Sequence, residues 1–264
     1  MKRLFILSLM LLLLVGVSVQ AVTKATAVIK PTKFVDPFIG TAAHGHTFPG
    51  AAYPFGMIQL SPDNGTAGWD WCSGYHYTDN SIAGFSHLHL SGTGIGDLAD
   101  ISVMPTNKEI KAENFKEKES YSDFYRSKFS HKNESAHPGY YQVLLLDDKI
   151  NVELTTTQRV GFHRYTFSNP KNKSIIFDLG FHINWDMPTE TYFKVIDNSL
   201  IVGYRFSKGW APSQKVFFAA RFSKPFSGFQ TFCSDTKGKE SKGVFSKGVF
   251  SFDEKSGNQI IVKV

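Results

Sequence analysis

Cysteine is nearly absent: the 264 residues contain Cys72 and Cys233 and no others. That density excludes a disulfide scaffold, so stability must come from a packed core, for which 42% hydrophobic and 14% aromatic residues supply the material. In an oxidising compartment the two cysteines could close one long loop, or Cys72 could sit as a packed free thiol; spacing alone does not choose. Long apolar runs are also missing, apart from residues 4–17, which carry no charge and follow Lys2 and Arg3. This run is shorter than the ~20 residues of a spanning helix. It leads into Val19-Gln20-Ala21, small residues of the kind at which a signal peptidase cuts. Residues 1–21 are expected to be a cleaved secretory signal and 22–33 a linker, giving a secreted or periplasmic protein with no membrane span. No cysteine stands near the cut, so a lipid anchor is not indicated. Losing Lys2 and Arg3 leaves 27 basic against 23 acidic residues, a net of +4 instead of +6. That mild charge is no nucleic-acid signature.

A second absence is local. Residues 34–105 contain no lysine, arginine or glutamate, yet hold six aspartates, five of the nine histidines and half of the 22 glycines. Glycine and Asx residues favour turns and close backbone approach, so this stretch reads as turns and short strands. Without cations it is no phosphate site. From 106 to about 119 the composition flips to lysine and glutamate, as in a solvated helix or a surface excursion.

Beyond residue 140 the pattern turns to β. Runs rich in Val, Ile, Phe, Tyr and Thr span 140–146, 150–156, 160–167, 174–179, 191–196, 200–206, 216–222 and 260–264. Val152 and Leu154 alternate with Asn151, Glu153 and Thr155, as a half-buried strand requires. Many strands without intervening helices predict an all-β fold, a large antiparallel β-sandwich. The tandem Ser-Lys-Gly-Val-Phe at 241–245 and 246–250 is too short for a solenoid and reads as a duplicated surface loop. The apolar run that stops at Val264 is the pattern of a truncated chain.

Three groups of residues could carry chemistry. Residues 68–77 place Trp69, Trp71, Tyr75 and Tyr77 around Asp70. An aromatic ring suits the C–H face of a sugar and a carboxylate suits its hydroxyls, although the same rings would also serve as the inward positions of a core strand. In 85–97, His87-Leu-His89 would put two imidazoles on one strand face, metal-ligand geometry if Asp97 or Asp100 converged. His44-Gly-His46 repeats the spacing; hydrogen-bonding or structural histidines are the preferred reading of both pairs. The aspartates could in principle supply a pair of acid–base carboxyls. No Gly-x-Ser-x-Gly elbow or cysteine-protease surround occurs, which disfavours a nucleophilic hydrolase.

Several of these stretches, in this order, resemble the amino-terminal domain of glycoside hydrolase family 92, the bacterial exo-α-mannosidases. They are Val35-Asp-Pro-Phe-Ile-Gly-Thr41, Gly45-His-Thr-Phe-Pro-Gly-Ala51, Pro54-Phe-Gly-Met57, Gln59-Leu-Ser-Pro-Asp63, Gly68-Trp-Asp70, Cys72-Ser-Gly-Tyr-His-Tyr77, Gly84-Phe-Ser-His87 and His89-Leu-Ser-Gly-Thr-Gly94. The similarity continues through His137-Pro-Gly-Tyr-Tyr141 and Arg159-Val-Gly-Phe-His-Arg-Tyr-Thr-Phe167, covering most of 34–264.

The resemblance implies a galactose-mutarotase-like supersandwich followed by an (α/α)6 barrel, of which this sequence contains nothing. It implies a calcium-dependent, inverting enzyme removing α-mannose from N-glycans or mannans, with acid and base in the barrel and the pocket between the domains. No catalytic residue is then expected here, and calcium ligands are not assignable. By motif, Trp69 and Asp70 are expected to form the wall of the mannose site, and His87, His89, Ser91 and Thr93, as substrate-binding residues, to line or buttress the pocket between the domains. Cys72, Tyr75 and His76 are expected either to stand behind them or to be packing residues, and His46 to shape a turn beneath the site. The rival expectations are a stand-alone carbohydrate-binding module and an inactive gene fragment.

Overall fold

The computed structural model describes residues 30–65, 68–115 and 123–264. The expected signal at 1–21, residues 22–29 of the expected linker and residues 116–119 of the charged stretch lie outside the described residues. Thr32–Val264 form one compact unit.

Two antiparallel sheets, of ten and seven strands, face one another, and a two-stranded ribbon joins Ser81–Ile82 to Ser127–Lys128. No helix of seven or more residues forms among the described residues. The large sheet follows the alternation read from sequence. Ile150–Thr156 buries Ile150, Val152 and Leu154, and it pairs with Tyr140–Leu145 so that Val143 faces Val152. Gly161–Phe167 pairs on its other side with His163 opposite Leu154. Gln259–Lys263 slots between Gly161–Phe167 and Gln214–Phe222, so the last strand is interior to the sheet. Met187–Asp197 and Leu200–Lys208 form a long hairpin beyond it. These spans match the sequence-read runs to within a few residues because alternation over five or more positions can bury one face in one register only.

The seven-stranded sheet reads differently. Lys173–Asp178, between Ser102–Thr106 and Lys247–Phe252, is buried at every position, so both faces are covered and no alternation appears. Phe177 and Phe250 of this sheet meet Phe193 and Phe222 of the other, with Phe222 and Phe250 ring centroids 5.4 Å apart. This aromatic seam is the core.

Two expectations change. The tandem repeat is no surface loop. Its first copy contributes to Glu240–Gly243, near the edge of the large sheet beside Met187–Asp197, and its second to Lys247–Phe252, inside the small sheet. Val244 and Phe245 carry the chain from one sheet to the other. Within 106–115 the charged stretch forms no α-helix: it makes a short 3-10 turn, Ala112–Asn114, and then buries Phe115 against Phe232 at 4.5 Å. A surface excursion with one apolar anchor accounts for that composition. Cys72 and Cys233 are not bridged; Cys72 is the packed free thiol of the two alternatives.

Candidate functional site

Gly68, at φ +99°, turns the chain into a 3-10 turn, Trp69–Trp71, where a core strand was one alternative. This turn throws Trp69 outward, leaving it 54% exposed. Its ring is wedged perpendicular to His46, centroids 4.2 Å apart, and tilted against His44 at 5.2 Å. Gly94 closes the wedge from behind, since a Cβ there would fall 2.1 Å from Trp69 Nε1. Trp71 turns the other way: its Nε1 donates to Asp79 at 2.6 Å and its ring lies against His76.

The Asp70 carboxylate receives His44 Nδ1 at 2.6 Å and lies 3.4 Å from His46 Nε2. The hydrogen bond from His44 is the main cause holding its carboxyl below the usual carboxylate range, so Asp70 is ionised at neutral pH. His46 sits at φ +52°, a strained conformation for a residue with a side chain, and its carbonyl accepts from Gly92 N at 2.7 Å. Loops 44–46, 69–71 and 91–94 are thereby tied into one shelf.

Thr93 is half-buried and Ser91 exposed on that shelf. Cys72 Sγ donates to Thr93 O at 2.8 Å, tethering the loop, and burial raises its thiol pKa. His76 hydrogen-bonds Ala43 O through Nε2 at 3.2 Å and so supports the residue before His44. These positions suit residues standing behind a site. Tyr75 lies deeper. Its hydroxyl donates to Glu134, which also accepts from Tyr141 OH at 2.6 Å and pairs with His131 at 2.7 Å; Tyr75 is a packing residue of the core.

The structure puts His87 and His89 beneath the shelf, not on it, with all four ring nitrogens engaged by protein. His87 Nδ1 donates to Ile101 O at 2.6 Å, so its Nε2 accepts from His163 Nε2 at 3.0 Å, and Tyr165 OH completes the chain onto His163 Nδ1 at 2.8 Å. Burial pushes the His87 pKa down to about 4 and that of His163 well below its ordinary value, which keeps both rings neutral. His89 Nδ1 faces Gln59 O at 2.7 Å and its Nε2 faces Asp63 at 2.8 Å. The two rings do not converge on a common point. Asp97 and Asp100 are committed as well: Asp97 accepts from the backbone of Trp210 and Ala211, and Asp100 pairs with the buried Arg205 at 2.8 Å. His44, left out of the expected contacts, is the residue the structure adds, and the repeated His-x-His spacing was its signal.

Two clefts open elsewhere, one of about 560 Å³ beside Met57, Arg159 and Phe217 and one of about 700 Å³ beside Tyr192, Thr236 and Lys242. Neither is lined by Trp69 or Asp70. On the shelf a half-exposed aromatic ring and an ionised carboxylate lie side by side.

The chain belongs to family 92: the model of the Glycosyl hydrolase family 92 N-terminal domain matches residues 34–264. It is similar to a family GH92 alpha-mannosidase of Bacteroides thetaiotaomicron solved in complex with mannoimidazole, at 36% identity and TM-score 0.80, over 89% of this chain and 32% of that one. The family GH92 inverting mannosidase of Bacteroides thetaiotaomicron VPI-5482 shares the fold, at 24% identity and TM-score 0.73, over 89% of this chain and 31% of that one. An uncharacterized secreted glycosidase of Arthroderma benhamiae is 30% identical over 162 residues, 56% of this chain and 19% of its own length. The chain thus spans about a third of the solved relatives.

Calcium does not fit the donors on the shelf. The grouping of three or more His, Cys, Asp or Glu side chains among the described residues is His44, His46 and Asp70, two nitrogens and one carboxylate oxygen. Calcium takes six to eight oxygens.

Proposed function

We propose that this chain is the sugar-facing domain of a secreted, inverting exo-α-mannosidase that trims α-mannosides from N-glycans or mannans. The observation that carries the reading is the half-exposed Trp69 ring beside the ionised Asp70, within a family whose solved relative binds mannoimidazole. Secretion is supported by the charged-then-apolar residues 2–17 and by the secreted glycosidase to which the chain is similar. No helix among the described residues is long and apolar enough to cross a membrane.

On this reading the open face of Trp69 lies against the C–H side of a terminal mannose and excludes water from it. Asp70, held by His44 and His46, accepts hydroxyl hydrogen bonds, and Ser91 and Thr93 offer further polar contacts from the loop tied to His46. His87, His89, Cys72 and His76 keep that loop in place. Inversion needs a general acid at the leaving oxygen and a base that activates water on the opposite face. Both imidazoles sit on Asp70 Oδ1, which leaves Oδ2 for the sugar; the family resemblance implies that acid and base come from an (α/α)6 barrel, in cis or in trans. A stand-alone carbohydrate-binding module is the less favoured reading, because the domain's relatives are glycosidases.

Calorimetric titration of the purified chain with α-1,2-mannobiose tests the shelf. Binding is expected near the millimolar range, about −4 kcal/mol, and is lost in Trp69→Ala and Asp70→Asn. Absence of binding, or binding indifferent to both substitutions, would refute the assignment. The chain alone is expected to leave an aryl α-mannoside intact; turnover would show that it contains the proton-transfer groups.

A further inference from the structure

Nothing in a mannose grip requires two imidazoles on one oxygen of Asp70. His44, His46 and Asp70 present one ligand atom each, all within 4.8 Å of one another. We propose that these three residues form a binding site for a single divalent cation of the zinc class, with its remaining positions open to solvent.

The donor chemistry comes first. Two imidazole nitrogens and one carboxylate oxygen are the three-ligand set of an open zinc site. Spacing agrees. Metal–ligand distances of about 2.0–2.2 Å in a tetrahedron put neighbouring ligand atoms about 3.4 Å apart. His46 Nε2 and Asp70 Oδ1 already stand 3.4 Å apart, and His44 Nδ1, at 2.6 Å, has to withdraw by less than 1 Å. It is free to do so, because the His44 side chain is 70% exposed.

The rest of the site is pre-formed. His46 is buried, fixed by its left-handed backbone, by the Gly92 hydrogen bond to its carbonyl and by the perpendicular Trp69 ring. Gly45 lets the loop close, since a Cβ there would lie 2.1 Å from Gly40 O. His76 holds Ala43 from below. Charge completes the argument. Residues 34–105 supply no lysine or arginine, and the ion-pair partners of Asp70 are the two histidines. A divalent ion supplies the positive charge that this stretch leaves out.

The inference is independent of the mannoside reading, and its test contains no sugar. The metal-stripped chain is titrated calorimetrically with Zn²⁺ at neutral pH, alongside His44→Ala, an exposed position where folding is not at stake, and Asp70→Asn. One Zn²⁺ per chain is expected, weakened at least about tenfold in each variant, with a millimolar excess of Ca²⁺ failing to displace it. No saturable one-to-one binding, or binding that survives both substitutions, overturns the site; so does displacement by Ca²⁺. Mannobiose binding in metal-free buffer is read separately, so either idea can fail alone.

Discussion

The two copies of Ser-Lys-Gly-Val-Phe allow one substitution to be made twice in identical local sequence. Lys247 is fully buried, and its Nζ lies 2.7 Å from Asp178 Oδ2. The same carboxylate accepts from Tyr125 OH at 2.5 Å and from Gly180 N at 2.9 Å. Lys242, its counterpart in the first copy, meets Glu190 at 3.1 Å with its side chain 58% exposed. Lys247→Met keeps most of the apolar stem but strands Asp178 without a cation in a dry interior. Removing one partner of a buried pair costs about 3–5 kcal/mol. For a domain of this size that lowers Tm by roughly 6–20 °C. Lys242→Met breaks a surface pair worth about 0–1 kcal/mol. Urea and thermal unfolding followed by tryptophan fluorescence reads both. Adding Asp178→Asn to Lys247→Met should recover part of the loss, because a neutral amide needs no counter-ion. Equal losses in the two lysine variants, or a Lys247→Met chain within about 1 kcal/mol of the parent, would refute the claim that Lys247 works as a buried ion-pair partner.

Acid should destabilise the fold through His87 and His163. Their folded pKa values lie below the ordinary imidazole value, His87 at about 4, so as pH falls from about 6.5 toward 5 the unfolded chain takes up protons that the folded chain does not. Stability is therefore full well above pH 6.5 and falls as pH drops, by about 2 kcal/mol for His87 between pH 7.5 and 5.0, with His163 adding to the loss in the same direction; urea midpoints that do not move across that range would contradict the buried neutral pair. Glu134→Ala takes the acceptor from Tyr75 and Tyr141 and should cost about 2–4 kcal/mol in the same unfolding assay, mainly through two orphaned phenols. Gly94→Ala pushes on Trp69 from behind. It should change stability by no more than about 1 kcal/mol, yet shift the fluorescence maximum and weaken mannobiose binding; unchanged binding would mean that Trp69's orientation is irrelevant to the shelf.

Regular strands were legible wherever one face is buried and the other is not. Tyr140–Leu145, Ile150–Thr156 and Leu200–Lys208 announce themselves by alternation, because period-two burial leaves a period-two pattern. Lys247–Phe252 did not, since burial on both faces removes the pattern and a lysine and a glycine disguise the rest. The shelf was legible in part. Trp69 and Asp70 stood out by composition and by family motif, whereas the motif left open whether His87 and His89 line the pocket or buttress it; they lie under the surface.

The sequence by itself determined the β class, the positions of the alternating strands, the family, and the cation-free stretch from which the shelf is made. Those are properties of local composition and ordered motifs, and they survive being read one residue at a time. The tertiary structure alone decided which copy of a repeated pentapeptide is interior, which histidine pair meets Asp70 on the shelf, and that Cys72 remains a thiol. Each of these depends on partners distant along the chain: Asp178 stands 69 residues before Lys247, and His163 stands 76 after His87. Two identical lysines differ only in which sheet they enter, and sheet pairing is a long-range choice that no window of sequence contains.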